Sequence, residues 1–266
     1  MTISLSCFRD KIYDKIRYLD GNRFNNFTFF EMPILGLASA NDPLFVTLKR
    51  NDIIGEFHTL PQDWMPDAVT VISYFLPFTK TIRNSNYVGK HASPEWQHGR
   101  FRGETFNNNV RKMICDELII AGGKAVAPVL NDKKFFFDKV KLRSNWSERH
   151  IAYVCGLGSF GLNRGLITKK GMAGRFGSVI SNVDIKCESK HAKEVFLDYC
   201  NTCGKCISRC PSGAISLDGK NKETCANYLF YSLQAENVRT QFAYPSAACG
   251  KCQTRVPCET VKPRNI

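Results

Sequence analysis

Tyr199-Cys200-Asn201-Thr202-Cys203-Gly204-Lys205-Cys206-Ile207-Ser208-Arg209-Cys210-Pro211 is the stretch from which the fold is read. Its cysteines follow C-x2-C-x2-C-x3-C-P, the thiolate spacing of a 4Fe–4S cubane. A cubane presents its irons at the corners of a small cube. One tight loop wraps three corners, and the fourth must be met from elsewhere in the chain. Working outward, Cys225, Cys249, Cys252 and Cys258 supply four more thiols, so eight of the twelve cysteines fall between Cys200 and Cys258.

In chains that hold two such clusters, the Cys before the Pro ligates the other one. That rule gives Cys200, Cys203 and Cys206 to cluster 1 and Cys210 to cluster 2. Cys225, Cys249 and Cys252 then complete cluster 2, and Cys258 closes cluster 1. Two 4Fe–4S clusters imply single-electron transfer at low potential. A zinc site would take two C-x2-C pairs and four ligands in all, with no use for the third Cys or the Cys-Pro. Disulfides are disfavoured as well. The chain begins MTISLSCFRDKIYDK, without an apolar leader, and no stretch approaches about 18 uncharged apolar residues. The expected location is the cytoplasm, with no membrane association, and its reducing poise disfavours disulfides.

The 266 residues, 43% of them hydrophobic, allow one large domain or two modest ones. The formal charge is +13, and two oxidised cubanes with their thiolates would lower it to about +9. A chain this basic calls for an acidic partner: an acidic electron donor such as ferredoxin or flavodoxin, a nucleic acid, or a phosphorylated ligand. The Lys and Arg residues are scattered, so no nucleic-acid motif is claimed from them.

Patterning outside the cysteines mixes helix and strand. Residues 4–20 space Cys7, Ile12, Ile16 and Leu19 on one helical side. Residues 68–77 (AVTVISYFLP) read as a buried strand closed by Pro77, with further strands over 124–130 and 176–186. Residues 104–121 read as a helix ending at Gly122-Gly123. Residues 80–99 and 131–141 read as loops, and the cysteine domain starts near 187. Asn145 and Glu148 suit a capping box for a short helix that stops at Gly156. The run Gly156-Leu157-Gly158-Ser159-Phe160-Gly161 formally matches G-x-G-x-x-G. A dinucleotide fingerprint needs a strand before it, and here a helix precedes, so that reading is rejected in favour of a glycine loop.

These residues resemble the epoxyqueuosine reductases and the corrinoid-dependent reductive dehalogenases. The resemblance is carried by SERHIAYVCGLGSFGLNRGLIT (147–168), FGSVI (176–180), YCNTCGKCISRCPSGAI (199–215), the lone Cys of ETCANYL (223–229) and CGKC (249–252). It implies an α+β fold: a nitroreductase-like α/β core over 1–186, and an appended bacterial ferredoxin-like two-cluster domain over 187–266. It implies a corrinoid (cobalamin) approached by Gly156, Leu157, Gly158, Ser159, Phe160 and Gly161, electrons passing through two 4Fe–4S clusters to cobalt, and a small-molecule, nucleoside-like or protein substrate. The pattern departs in one place. Where the epoxyqueuosine reductases carry an Asp-Ser/Thr-Ala-Pro-type stretch with the proposed proton donor, Leu142-Arg143-Ser144-Asn145 stands here, and Asp138 lies four residues upstream. The chain looks closer to a short branch of such proteins from anaerobes.

His150, on the helix before the glycine loop, is the preferred catalytic proton donor, with Tyr153 and Glu148 behind it. His58, His91, His98 and His191 read as surface or capping groups. Ser93, Pro94 and Glu95 suit a helix start, while Arg100 and Arg102 beside Trp96 and His98 could clamp an anionic or planar ligand. Cys7 and Cys115 read as core, Cys155 as a neighbour of the cofactor, and Cys187 is left over. Two functions follow: a corrinoid-dependent oxidoreductase related to epoxyqueuosine reductase, or an electron-transfer protein that activates another, corrinoid-bearing protein and has no substrate of its own.

Overall fold

The computed structural model describes residues 2–186 and 199–263. Cys187, His191 and the expected domain boundary lie outside the described residues. The architecture mixes helix and strand around a four-stranded antiparallel sheet. Its strands run in the order Ile34–Ser39, Thr70–Pro77, Gly174–Ser181, Ala125–Val126. Thr70–Pro77 is central and buried along its whole length. Its near-continuous apolar sequence follows from that position, because both faces of the sheet are covered.

Alternation along the central strand sends neighbours to opposite faces. Ile72, Tyr74 and Leu76 join Phe106, Val110, Ile114 and Leu118 of the long helix Pro94–Ile120, and Phe8, Ile12 and Ile16 of the N-terminal helix Leu5–Tyr18. Val71, on the other face, packs with Phe45, Trp146, Ile151 and Val154. Burying a side chain of this size contributes roughly 1.5–3 kcal/mol.

A charged seam runs under the long helix. Arg111, 1% exposed, donates to Glu104 (2.9 Å) and Glu148 (3.1 Å). Ser178 Oγ donates to Glu148 Oε2 at 2.6 Å, and Trp146 Nε1 donates to Ser178 at 2.9 Å. This chain of bonds ties the helix Glu148–Val154 to the sheet and to the long helix at once.

Several sequence expectations are corrected. The long helix starts at Pro94, not near 104, with Ser93 accepting from the Trp96 N–H (3.1 Å) as its cap. Gly99 and Gly103 hid its first turns because glycine has poor helix propensity. They are glycines because the Phe78 and Phe30 rings press on the helix, and a Cβ at Gly103 would lie 2.9 Å from Phe30. The short helix is capped at Ser147. Asn145 instead accepts from Phe136 N and donates to Lys134 O, and Glu148 turns inward to the seam. Cys7 is exposed and Phe8 takes the core position. Cys155 is core, its thiol donating to Val71 O at 3.5 Å. The 80–99 loop contains a helix, Lys80–Ser85, and the strand Ile34–Ser39 was not foreseen.

The glycine run also resolves into packing. The helix Glu148–Val154 ends in a Schellman turn: Gly156 (φ 73°) donates to Tyr153 O and Leu157 donates to Ala152 O, both at 3.0 Å. Gly158–Phe160 then pairs antiparallel with Leu166–Thr168. A Cβ on Gly158 would lie 1.8 Å from the Ile167 carbonyl oxygen. Gly158→Ala is therefore expected to lower stability by about 3 kcal/mol, measured as the shift of the urea midpoint at unchanged slope.

Candidate functional site: two thiol-lined cavities and a basic cleft

Gly204 adopts φ 69°, which turns the chain sharply into the one-turn helix Lys205–Ser208. This loop presents Cys200, Cys203 and Cys206 to a cavity also lined by Ile167, Met172, Val256 and Cys258. About 330 Å³ there is unfilled by atoms, part of it open to solvent. Cys258 arrives from the far end of the module and is held because Met172 N donates to its carbonyl at 3.0 Å. On the other flank Tyr199 N donates to Ser159 Oγ at 2.6 Å.

Cys210, Cys225, Cys249 and Cys252 line a second cavity together with Phe78, Trp96, Arg100, Arg175 and Tyr228. It leaves about 1000 Å³ unfilled, again partly open, some three times the space of the first. Cys225 is brought in by the helix Lys222–Tyr231, capped by Asn221, which accepts from Thr224 N at 2.9 Å. Asn163 donates to Cys252 O at 2.7 Å and Asn86 to Cys249 O at 3.0 Å, anchoring the last loop to the core.

Among the described residues no three metal-ligating groups close on a single-ion position. The thiols are spread around cavities instead. Burial is the first cause pushing Cys206 up to about 11 and Cys249 and Cys258 to about 12. Repulsion among thiolates adds to it. Cys258 feels Cys206, Cys200 and Cys203, whereas Cys249 feels Cys252, Cys225 and Cys210. Cys252 also raises Cys206, so the two thiol sets feel each other's charge. Thiols held protonated in this way lose their protons when metal binds.

A basic cleft adjoins the second cavity. Arg175 is paired with Glu104. Arg100 lies beside Arg175 and has neither an ion pair nor a hydrogen bond among the described residues, and that like charge, with burial, pulls it down to about 10. Glu104 is pushed up by burial, but Arg175, Arg111 and Arg100 together hold its carboxyl far below the usual range. Arg149 reaches solvent nearby, donates to Arg164 O at 2.7 Å, and interacts with Arg175, Cys252 and Cys225. Lys222 is pulled down by burial and then by Arg164 and Arg149. Of the basic pair read from sequence, Arg102 lies instead over the Phe24 ring at 4.0 Å, and His98 bonds Tyr244 at 2.8 Å.

His150 bonds Ser147 Oγ through Nδ1 at 2.8 Å and packs on Phe160, with ring centroids 4.7 Å apart. Burial first, then Arg149, depresses it to about 3, so it is a neutral imidazole at pH 7. His58, wholly buried and stacked near Trp146, is depressed to about 4 by burial and Lys49. Gly156 is exposed, Leu157, Gly158 and Ser159 are buried in and beside the hairpin, Phe160 is half-buried, and Gly161 lines the first cavity. Asp138, the stand-in for the departed Asp, is spent locally, accepting from Val140 N and Lys141 N at 2.9 Å each.

Sequence reasoning missed Lys251, Arg209 and Asn86. Lys251 Nζ donates to Asn86 O (2.9 Å) and Val88 O (2.7 Å). Arg209 donates to Asn86 O, Tyr87 O and Thr254 O. The available signal was that both cations sit inside the cysteine motifs, Lys251 between Cys249 and Cys252 and Arg209 just before Cys210.

Residues 193–216 match the 4Fe-4S binding domain family. Over 156 residues the chain is 31% identical to an epoxyqueuosine reductase of Atelocyanobacterium thalassa (isolate ALOHA), covering 57% of this chain and 44% of the relative. In fold it resembles an epoxyqueuosine reductase crystallised with an epoxyqueuosine-modified tRNA-Tyr stem loop. That match has a TM-score of 0.51 and 15% identity, over 97% of this chain and 67% of the other. It also resembles a reductive dehalogenase whose structure suggests a mechanism for B12-dependent dehalogenation, with a TM-score of 0.52 and 11% identity, over 86% of this chain and 30% of the other. The chain spans about half the length of the curated relatives it matches, 44% and 51%. Its resemblance to the epoxyqueuosine reductases thus holds in sequence and in fold. No helix among the described residues is long and apolar enough to cross a membrane.

Because His58 and His150 are depressed in the folded state, the unfolded chain binds more protons below pH 6.5, and the stability present above that pH is lost as pH falls toward 4. In thermal unfolding between pH 6.5 and 4, His58→Gln and His150→Gln are each expected to lose less than the parent chain.

Proposed function

We propose that the chain is an iron–sulfur oxidoreductase of the epoxyqueuosine reductase type, with two 4Fe–4S clusters and a corrinoid in the basic cleft beside the second. The observation that carries this reading is the sorting of eight thiols into two cavities of four. Cys200, Cys203, Cys206 and Cys258 would hold the first cluster, and Cys210, Cys225, Cys249 and Cys252 the second. Clusters in these positions supply one-electron transfer at low potential, and a corrinoid supplies a strongly reducing, nucleophilic cobalt. Residues 1–186 would form the core and 187–266 the two-cluster domain.

The thiol sets fit cubanes: each surrounds a cavity rather than a point, and the charge of Cys252 in one set is felt by Cys206 in the other. The cleft fits a further, anionic group, since the second cavity is much the larger and Arg100 has no carboxylate of its own. Arg100 and Arg149 would bind a phosphate or similar anion by charge-assisted hydrogen bonds. Phe78 and Trp96, in the wall of the second cavity, would narrow water's access, and the exposed Gly156 would let a planar group approach. His150, neutral, would donate or accept a hydrogen bond at Nε2 rather than act as an imidazolium. A nucleoside-like substrate suits the same cations, and an acidic one-electron carrier suits the +13 charge.

One observation favours a second reading, that of an electron-transfer protein which activates another protein. Glu104 and Glu148 are tied to arginines, and Asp138 is held in its own turn, so none of these three acids is free to deliver a proton.

Metal analysis after anaerobic reconstitution with cobalamin tests both readings. The first expects about eight irons per chain and bound cobalt. Cys252→Ser should lower iron to about half, and Arg100→Ala should weaken cobalamin binding about tenfold. Eight irons without cobalt would turn the assignment to the second reading. Zinc, or far fewer irons, would overturn both.

A further inference from the structure

Lys251 lies between Cys249 and Cys252 and is 1% exposed. Its ammonium reaches only neutral partners, Asn86 O and Val88 O. Arg209, the residue before Cys210, aims its guanidinium at the same Asn86 carbonyl and at Tyr87 O and Thr254 O. Among the described residues no carboxylate pairs with either cation. Glu259, an acid of the same closing segment, is taken by Arg83, Tyr87 and the Arg255 N–H.

Two cations gathered on one carbonyl oxygen without a counterion are costly to keep from water. The charge that offsets them has to come from the thiolate side. A cubane with four thiolates carries about −2 when oxidised and about −3 after taking one electron. Fixed positive charge at close range favours the second state over the first.

We propose that Lys251, supported by Arg209, is an electrostatic positioning residue that raises the reduction potential of the cluster held by Cys210, Cys225, Cys249 and Cys252. The proposal rests on the assignment of those four thiols to a cluster. The step is the gain of one electron from an external one-electron donor. No bond forms or breaks, and no proton moves. The consequence is a bias: the electron settles on the cluster facing the basic cleft rather than on the one whose Cys203 is exposed. Asn86, buried, and Val88, whose side chain is exposed, hold the ammonium through their carbonyls and lie just before the long helix. The cation is therefore fixed in place by a different part of the chain from the one that binds iron.

The test is potentiometric EPR titration with dithionite on anaerobically reconstituted protein. Iron counting comes first, and about eight irons in the parent chain establishes the underlying assignment separately. Lys251→Gln keeps a donor for the two carbonyls and removes the charge. Its expected result is a negative shift of one of the two midpoints, a smaller shift of the other, and recovery in Lys251→Arg. Unchanged midpoints in a fully loaded Lys251→Gln protein would overturn the proposal. Should that variant not load iron, Arg209→Gln is read in its place, with the same expectation and the same overturning result. If neither neutral variant loads, loading by Lys251→Arg supports the requirement for a cation, and its failure assigns Lys251 a packing role and overturns the proposal.

Discussion

Two distant pieces of chain, 199–212 and 249–259, must interleave around the same pair of cavities, and this constraint governs the rest of the structure. Neither piece supplies enough thiols for either cavity. The first loop turns at Gly204 and offers three sulfurs to one side and Cys210 to the other. The closing piece answers in reverse, giving Cys249 and Cys252 to the second cavity and Cys258 to the first. The backbone is locked in this crossing by bonds from the core: Ser159 to Tyr199, Asn163 to Cys252, Asn86 to Cys249, and Met172 to Cys258. The hairpin Gly158–Thr168 and the turn around Asn86 therefore act as the mould in which the cysteine module sets.

That relation recasts the glycine run. From sequence it reads as a cradle for a ligand, because glycines allow close approach. In the structure the close approach at Gly158 is made by the chain's own Ile167 carbonyl, and the φ of Gly156 closes a helix. The run shapes the hairpin that presents Ser159 to Tyr199, so its effect on the site is mainly transmitted through the module it anchors.

What was legible and what was not divides by the range of the interaction. The cysteine spacing is local chemistry and could be read residue by residue. So could the central strand 70–77 and the cap at Ser93. The long helix was truncated because Gly99 and Gly103 answer to Phe78 and Phe30, rings that come from elsewhere in the chain. The cap at Asn145 was misread for a similar reason: Glu148, which looked like the partner of a capping box, is claimed by Arg111, thirty-seven positions earlier. The cleft was the least visible part. Arg100, Arg149, Arg175 and Lys222 are dispersed in sequence and acquire a common address only when the sheet, the long helix and the module are stacked.

Cys206 of one thiol set feels the charge of Cys252 of the other, which bears on reductant economy. If each set holds a cluster as proposed, the pair of one-electron stores would form a small capacitor. A scarce carrier that delivers one charge per encounter could fill it in two unhurried visits, before any substrate arrives. Chemistry needing a pair of electrons would then be insulated from the timing of the donor, and the rate of turnover would depend on recharging only when demand is high.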